Sequence, residues 1–363
     1  MAKGKGIPPS ESGQVNLKKL SELLHLSQTT ISLVLNDSPT AKSIPQHTRE
    51  RVIAAAKKFH YRPNYFARSL RKKRSMAVGV MAPNLSEGYL TLVLNGVEEY
   101  LIKSHYFYFT ASHFWKPELI EEYPRMLMER AVDGFLLLNT GSDINIPLPT
   151  VAISGHINKE GTCNIILDHE KAAELALGHL YELGHRKIAF MSGPDFIPDS
   201  AFRWRSTMQV ARRLGLKVAP ELCLNFEADI WSPGLGYDAV KELLARSRDF
   251  TAISCFNDIT AVGAIRAIQD AGLCVPGDIS VIGFDDIVSA AFLKPSLTTV
   301  HQPLHDMGVE GARVLLQKIA HPAMELPAEI VMQPTLTIRE STGPVPVKTF
   351  GKPKTKAAVE VDA

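Results

Sequence analysis

Hydroxyl and amide side chains are concentrated in the stretch 27–36, SQTTISLVLN, at spacings that suit one face of a short helix. Ser27 is a good N-cap, and Ile31 and Val34 supply the apolar side of that helix. The residues that remain to face outward are Gln28, Thr29, Thr30, Ser32 and Leu33, with Asn36 at the end. Small polar groups of this kind can hydrogen-bond to base edges and phosphates. An ordinary helical hairpin with a solvated polar face is the alternative.

A preceding helix is needed to position this face. The leucines of LKKLSELL, residues 17–24, recur at the 3 and 4 spacing of an amphipathic helix that ends at His25, and they are expected to face a core. Two short helices joined so tightly predict a helix-turn-helix, whose second helix fits the major groove of DNA. After a turn-rich connection, apolar residues of 48–59 resume helical spacing and predict a third helix.

A second basic element follows the third helix. Pro63 breaks the helical pattern, and Asn64 can cap a short helix over 65–70, which the basic run RKKR at 71–74 follows. An isolated helix of two turns is not stable by itself, so this segment should fold only against a partner, and its charge favours DNA. The candidate DNA contacts in this part of the chain are Tyr61, Asn64, Arg68 and Arg71.

The charge of the chain is distributed unevenly. Residues 1–75 hold 15 Lys and Arg against 4 Asp and Glu, a net charge of +11, whereas the remainder holds 25 against 34, a net charge of −9. A basic segment on an acidic body is typical of a nucleic-acid-binding domain, although a basic face can also be merely solvated. The N-terminus is polar and no apolar run reaches membrane length, which predicts a cytoplasmic protein.

The four cysteines are far apart in the sequence and lack the spacing of a metal site, so we interpret them as core thiols without a disulfide framework. From Met76 onward, short apolar runs alternate with helical patterns. The predicted buried strands are 77–81, 107–110, 134–138, 150–153, 164–167, 187–192, 252–254 and 280–284. This alternation predicts an α/β core of two doubly wound parallel-sheet subdomains, in which ligands bind beyond the carboxyl ends of the strands.

An enzyme and a transport protein are the competing classes. Asp285 and Asp286 could form a catalytic carboxylate pair, but adjacent residues of an extended segment point to opposite faces. No nucleophile elbow, phosphate-binding loop or metal-ligand set accompanies them, so neither catalysis nor a cofactor is predicted. A binding protein for transport would share the core but would lack residues 15–75 and carry a signal peptide.

Several segments in order carry a resemblance to a known family. They are VNLKKLSELLHLSQTTISLVLN, HTRERVIAAAKKFHYRPNYFARSLR, ILDHEKAAELALGHLYELGHRKIAFMSGP, FNDITAVGAI, VPGDISVIGFDD and KPSLTTVHQPLHDMG. Together they resemble the lactose/galactose repressor family of bacterial transcription regulators, from about Val15 to Arg339. The resemblance implies a helix-turn-helix headpiece, a hinge helix and a core like that of periplasmic sugar-binding proteins. It also implies a homodimer that binds a palindromic operator and is controlled by a small effector, of the carbohydrate class.

Residue roles follow from the resemblance by position. Gln28, Thr29 and Leu33 occupy the base-reading positions, and Leu70 matches the wedge that enters the minor groove. His25 stands where the family prefers Gly, and His is among the more tolerant residues at positive φ. The residues placed around the effector are Tyr89, Ser154, Arg203, Trp231, Asn257, Asp285 and Gln302.

The expected organisation of the chain has five parts. They are a disordered tail over 1–14, a helix-turn-helix DNA-binding domain over 15–62, a hinge helix and linker over 63–75, an effector-binding and dimerisation core over 76–340, and a disordered tail over 341–363. The core should divide into one subdomain over about 76–167 plus 303–333 and a second over about 168–302 plus 334–340.

Overall fold

The computed structural model describes residues 15–36, 38–61, 74–85, 88–141, 146–226 and 232–346. The chain divides into two compact units, Met1–Ser75, which we call the headpiece, and Met76–Ala363, which we call the core. Among the helices so described, none is both long and apolar enough to cross a lipid bilayer.

The described part of the headpiece contains three short helices. They are α1 (Leu17–Leu24), α2 (Gln28–Leu35) and α3 (Gln46–Lys58), with a 3₁₀ turn at Pro39–Ser43 between α2 and α3. Leu20, Ile31 and Val52, one from each helix, are fully buried against one another and form the centre of this unit. A core this small depends on its helix ends, because helices of two turns are marginal alone.

The helix ends confirm the predicted helix-turn-helix. Ser27 is the N-cap of α2, and its hydroxyl accepts a hydrogen bond from the Thr30 amide at 3.0 Å. His25 ends α1 in the left-handed conformation with φ of 53°, so it does adopt the backbone that a glycine would supply. Leu23 is different from expectation: it is 45% exposed, because it lies on the side of α1 away from α2 and α3.

The core contains two six-stranded sheets. Sheet A has the strand order β11-β5-β4-β3-β1-β2, and sheet B has the order β12-β10-β9-β8-β6-β7. The strands of sheet A are β1 (Ala77–Ala82), β2 (Phe107–Ser112), β3 (Phe135–Leu138), β4 (Thr150–Ile153), β5 (Thr162–Leu167) and β11 (Glu329–Met332). Those of sheet B are β6 (Ile188–Ser192), β7 (Cys223–Asn225), β8 (Ala252–Ser254), β9 (Ser280–Asp285), β10 (Thr298–His301) and β12 (Thr335–Thr337).

Helices cover both sheets, as the predicted doubly wound architecture requires. Sheet A carries α4 (Gly88–Lys103), α5 (Pro117–Glu129) and α10 (Leu304–Ala320). Sheet B carries α6 (His169–Glu182), α7 (Pro198–Arg213), α8 (Pro233–Arg246) and α9 (Asp258–Asp270), with 3₁₀ turns at Pro220–Leu222 and Val288–Phe292. The chain passes from one sheet to the other after β5, after β10 and after β11. Three connecting segments therefore join the two subdomains.

Every pair of neighbouring strands is parallel except β10 with β12. In sheet A, β2 lies at the edge and β3 pairs with the other side of β1; in sheet B, β7 lies at the edge and β8 pairs with the other side of β6. This order places a topological switch point beside β1 and beside β6. The sheets meet along their carboxyl ends. We call the space between these ends the cleft.

Four details of the core correct the sequence-based predictions. β2 is not a buried strand: it lies at the edge of sheet A, and Phe107 is 61% exposed. The short strands β7, β10, β11 and β12 were missed, because polar residues interrupt the apolar runs on which the prediction relied. The segment 341–346 is ordered, since Ser341 is fully buried and the Val345 amide donates to Leu183 O at 2.9 Å. Cys274 is exposed, so it is not a core thiol.

Glycines set the spacing of the helix pair that covers sheet A. A Cβ placed on Gly308 of α10 would lie 2.0 Å from the Val93 carbonyl oxygen of α4, and one on Gly96 would lie 1.9 Å from His305 O. Gly308→Ala is therefore expected to lower the free energy of unfolding by about 1–3 kcal/mol, because the two backbones must separate. Differential scanning calorimetry of the unfolding transition of the core measures this loss of stability.

Gly178→Ala in α6 is the matched control. Its Cβ would meet no heavy atom within 4 Å, so the change should leave stability unchanged or raise it by about 0.5–1 kcal/mol. Equal destabilisation by both changes would contradict a specific role for the close approach of α4 and α10.

Candidate functional site

The start of α2 is the candidate DNA-reading surface. Ser27, Gln28 and Thr29 are exposed, and Thr30, Ser32, Leu33 and Asn36 are half-buried. The Ser27 and Thr30 hydroxyls bond each other at 2.8 Å, and Asn36 Nδ2 donates to Ser32 O at 2.7 Å, so these groups hold the two ends of the helix. Gln28 and Thr29 have no side-chain hydrogen bond within the described residues. They are therefore the groups of this face that can most readily bond a partner.

Tyr61 follows α3 and packs against the headpiece core, and this burial raises the pKa of its phenol. The remaining candidates of the basic segment, Asn64, Arg68, Leu70 and Arg71, lie outside the described residues, and so does Trp231 of the effector set.

Arg203 of α7 projects into the cleft. Its guanidinium lies over the rings of Phe256 and Phe284, with its central carbon 4.6 Å and 3.9 Å from the two ring centres. Its Nη1 donates to Phe256 O at 2.8 Å, whereas its buried Nε has no partner among the described residues. The aromatic rings fix the plane of the guanidinium, because cations are attracted to ring faces. Its Nη2 lies 4.0 Å from Asp199 Oδ2, so Nε is the donor of this guanidinium that is left for a ligand.

Asp285 ends β9 and accepts a hydrogen bond from Gln302 Nε2 at 2.6 Å. Gln302 is buried, and its Oε1 has no partner within the described part of the chain. The neighbouring Asp286 faces elsewhere, where it accepts from Thr337 at 3.0 Å and pairs with Arg339 at 2.7 Å. The two carboxylates do not share a site, as predicted, although both residues have positive φ, of 115° and 59°.

Tyr89 and Ser154 bring the subdomain of sheet A, which we call subdomain 1, to the same cleft; the subdomain of sheet B is subdomain 2. The Tyr89 hydroxyl donates to Ser154 Oγ at 2.8 Å, and Ser154 follows β4 with φ of 55°. Burial, and then the negative charge of Asp199, raise the pKa of the Tyr89 phenol, so this hydroxyl stays protonated. Since Asp199 lies on α7, its influence on Tyr89 places side chains of both subdomains close together.

Asn257 has a structural task. It is the N-cap of α9, where its Oδ1 accepts from the Thr260 amide at 2.9 Å and the Thr260 hydroxyl completes a reciprocal capping pair. Only its Nδ2 is left to bind a ligand. Asn257 therefore serves mainly as the cap of α9. The residues that the structure brings to the cleft are Tyr89, Ser154, Arg203, Asp285 and Gln302.

A cluster of two histidines and one carboxylate crosses the cleft, and sequence reasoning missed it. His156 Nε2 donates to Asp199 Oδ1 at 2.6 Å, and His169 Nε2 lies 3.4 Å from the same oxygen. His156 follows β4 in subdomain 1, whereas His169 and Asp199 begin α6 and α7 in subdomain 2. Burial would raise the pKa of Asp199, but the charge of His169 and the hydrogen bonds from both histidines outweigh it and hold this pKa well below its usual range.

Aromatic rings line the cluster and the cleft mouth. Phe202 stacks on the His156 ring at 3.9 Å, and Trp115 of subdomain 1 meets Phe196 of subdomain 2 at 5.1 Å. Behind Trp115, His113 is fully buried and bonded to Thr140, and burial lowers its pKa to about 4. His156 lies three residues after β4 and His169 two residues after β5, and this place near strand ends is the signal that could have found them.

Comparisons with known proteins agree with both units. The model of bacterial regulatory proteins of the lacI family matches residues 23–64, and that of a periplasmic binding protein-like domain matches residues 177–342. The chain is 30% identical over 336 residues to the HTH-type transcriptional repressor PurR of Haemophilus influenzae, covering 90% of this chain and 98% of that protein.

Solved structures give the same picture of the fold. The lac repressor dimer bound to operator and the anti-inducer ONPF superposes with a TM-score of 0.79 at 24% identity, over 91% of this chain and 100% of that one. The complex of the transcriptional regulator CelR with cellobiose superposes with a TM-score of 0.67 at 26% identity, over 90% of this chain and 99% of the other.

Proposed function

The chain belongs to the lacI family of bacterial regulatory proteins, and from this premise we propose that it is a transcriptional repressor that binds a palindromic DNA operator as a homodimer. Its DNA affinity is controlled by a small effector, of the carbohydrate class, bound in the cleft. As a regulator of transcription, it acts in the cytoplasm.

The observation that carries the DNA-binding role is the exposed start of α2. Gln28 and Thr29 project from a helix whose ends are fixed by Ser27 and Asn36, so their side chains present donors and acceptors in a defined orientation. This suits the reading of base edges in the major groove. Leu33 offers a thymine methyl group an apolar contact. Leu70, outside the described residues, is assigned the minor-groove wedge by family resemblance.

The polar groups of the cleft support a polyhydroxyl effector. Arg203 can donate from Nε and Asp285 can accept from ligand hydroxyls, and Gln302 adds a buried acceptor without a partner in the described structure. Since Tyr89 and Ser154 come from the other subdomain, a ligand that bonds both sets stabilises the closed cleft. CelR, a relative in fold, is known in complex with a sugar.

DNA selection from a random library tests this function. The full-length chain, at one fixed salt concentration, is expected to enrich an inverted repeat whose half-sites are about one helical turn apart. The enriched site and a scrambled copy are then compared in gel-shift titrations, where the enriched site should bind at least about a thousandfold more tightly. Sequences recovered without a common motif would contradict a sequence-specific role.

A further inference from the structure

Two imidazole nitrogens converge on one carboxylate oxygen in the cleft. His156 Nε2 and His169 Nε2 lie 2.6 Å and 3.4 Å from Asp199 Oδ1, and the donor atoms of the three side chains lie within 4.8 Å of one another. The three side chains are at most 8% exposed. An ionised carboxylate at such depth is costly unless cations or strong donors surround it.

The donor set and its spacing suit a transition metal. Imidazole nitrogen and carboxylate oxygen are preferred Zn²⁺ ligands, at about 2.0–2.1 Å, and a tetrahedral arrangement then separates the ligand atoms by about 3.3 Å. The contact of His169 with Asp199, at 3.4 Å, already has this spacing. The contact of His156, at 2.6 Å, has the length of a hydrogen bond and must open slightly when a metal replaces the proton.

We propose that His156, His169 and Asp199 bind one divalent transition-metal ion of the Zn²⁺ class and thereby join the two subdomains across the cleft. The three side chains supply three coordination positions, and the fourth is open to water or to an oxygen of a ligand in the cleft. Each ring binds the metal through Nε2 as the neutral imidazole protonated at Nδ1, so a neutral ring moves its Nε2 proton to Nδ1 and a cationic ring loses it to solvent when the metal binds.

A small cavity provides the outer partners that such a site needs. It has a volume of about 30 Å³, and His169, Ser200 and Arg203 are among its lining residues. Each of these has a buried polar atom, His169 Nδ1, Ser200 Oγ and Arg203 Nε, with no partner among the described residues. The cavity is large enough for a water molecule, which can accept from His169 Nδ1 and orient the ring.

A metal-free arrangement is the simpler alternative. The hydrogen bond from His156 to Asp199 alone would close the cleft, and His169 would serve as a second donor. That arrangement explains the 2.6 Å contact, and a water in the cavity can accept from His169 Nδ1 with or without a metal. Metal titration separates the two arrangements, and it needs neither DNA nor effector.

The experiment uses the full-length chain stripped with a chelator and titrated with Co²⁺. One ion per chain is expected, with the strong visible absorption of tetrahedral Co²⁺, and Zn²⁺ should displace it. His156→Ala and His169→Ala should each weaken binding at least about 100-fold, because they remove a direct ligand. His321→Ala is the control, since His321 is exposed and lies at the end of α10, and it should bind as the wild type does.

X-ray absorption spectroscopy of the Zn²⁺-loaded wild type tests the metal site without variants, so a variant that fails to fold does not affect the result. Two imidazole nitrogens and at least one oxygen at about 2.0–2.1 Å are expected. The proposal is overturned if the wild type binds no more Co²⁺ than His156→Ala, or if the absorption spectrum shows no histidine at the metal.

Discussion

Replacing Gln28 and Thr29 together by alanine is expected to lower specific operator affinity about a thousandfold, while non-specific DNA binding changes little. Each base contact contributes about 1–3 kcal/mol of discrimination, and the two residues are the exposed side chains of α2 without an internal hydrogen bond in the described structure. The caps at Ser27 and Asn36 remain, so α2 should keep its fold. Gel-shift titrations on the selected operator and on unrelated DNA, at the same salt concentration, give the two affinities.

Ile53→Ala is the matched control in the same unit. Ile53 is 55% exposed on α3 and carries no polar group, so its removal should leave both affinities unchanged. Circular dichroism of both variants should overlay the wild type. If the double variant binds operator as tightly as Ile53→Ala does, α2 is not the reading helix.

The headpiece could be predicted from sequence because its determinants are local. Ser27 caps α2 through a contact three residues away, and His25 adopts positive φ within a single turn. Even here, the exposure of Leu23 could not be predicted, because helical spacing gives the apolar stripe but not which edge of the stripe the partner helices cover.

The cleft could be predicted only in outline. Strand ends gave its location, and the family resemblance gave Arg203 and Asp285 a place in it. The bond between His156 and Asp199 joins residues 43 positions apart on different subdomains, and no periodicity encodes such a contact. The capping role of Asn257 was also missed, since an asparagine after a strand suits both a ligand and a helix end.

Contacts between the subdomains explain how a ligand in the cleft can change the state of the core. Three segments of the chain connect the subdomains. The subdomains also contact each other through His156 with Asp199 and through Trp115 with Phe196. A ligand that bonds both sides changes the balance between open and closed clefts by its difference in affinity for the two states. By linkage, operator DNA must then change the affinity for that ligand by the same factor.

Arg203→Ala is expected to weaken effector binding by between about 30-fold and about 5,000-fold and to abolish the effector response, while operator affinity without effector stays near that of the wild type. Arg203 presents a charged fork in a buried setting, and loss of one partner of a buried charged hydrogen bond costs about 2–5 kcal/mol. Isothermal calorimetry measures the affinity, with an effector first identified by thermal-shift screening of mono- and disaccharides.

Arg213→Ala is the matched control, because Arg213 lies on the same helix but is 50% exposed and paired with Glu170 and Glu174 at the surface. Exposed pairs of this kind contribute about 1 kcal/mol or less, so effector affinity should not change. Arg203→Lys keeps the charge but loses the planar fork and the stacking on Phe256 and Phe284, and an intermediate loss is expected. Unchanged affinity in Arg203→Ala would place the effector away from α7, and an equal loss in Arg213→Ala would trace the effect to the helix as a whole.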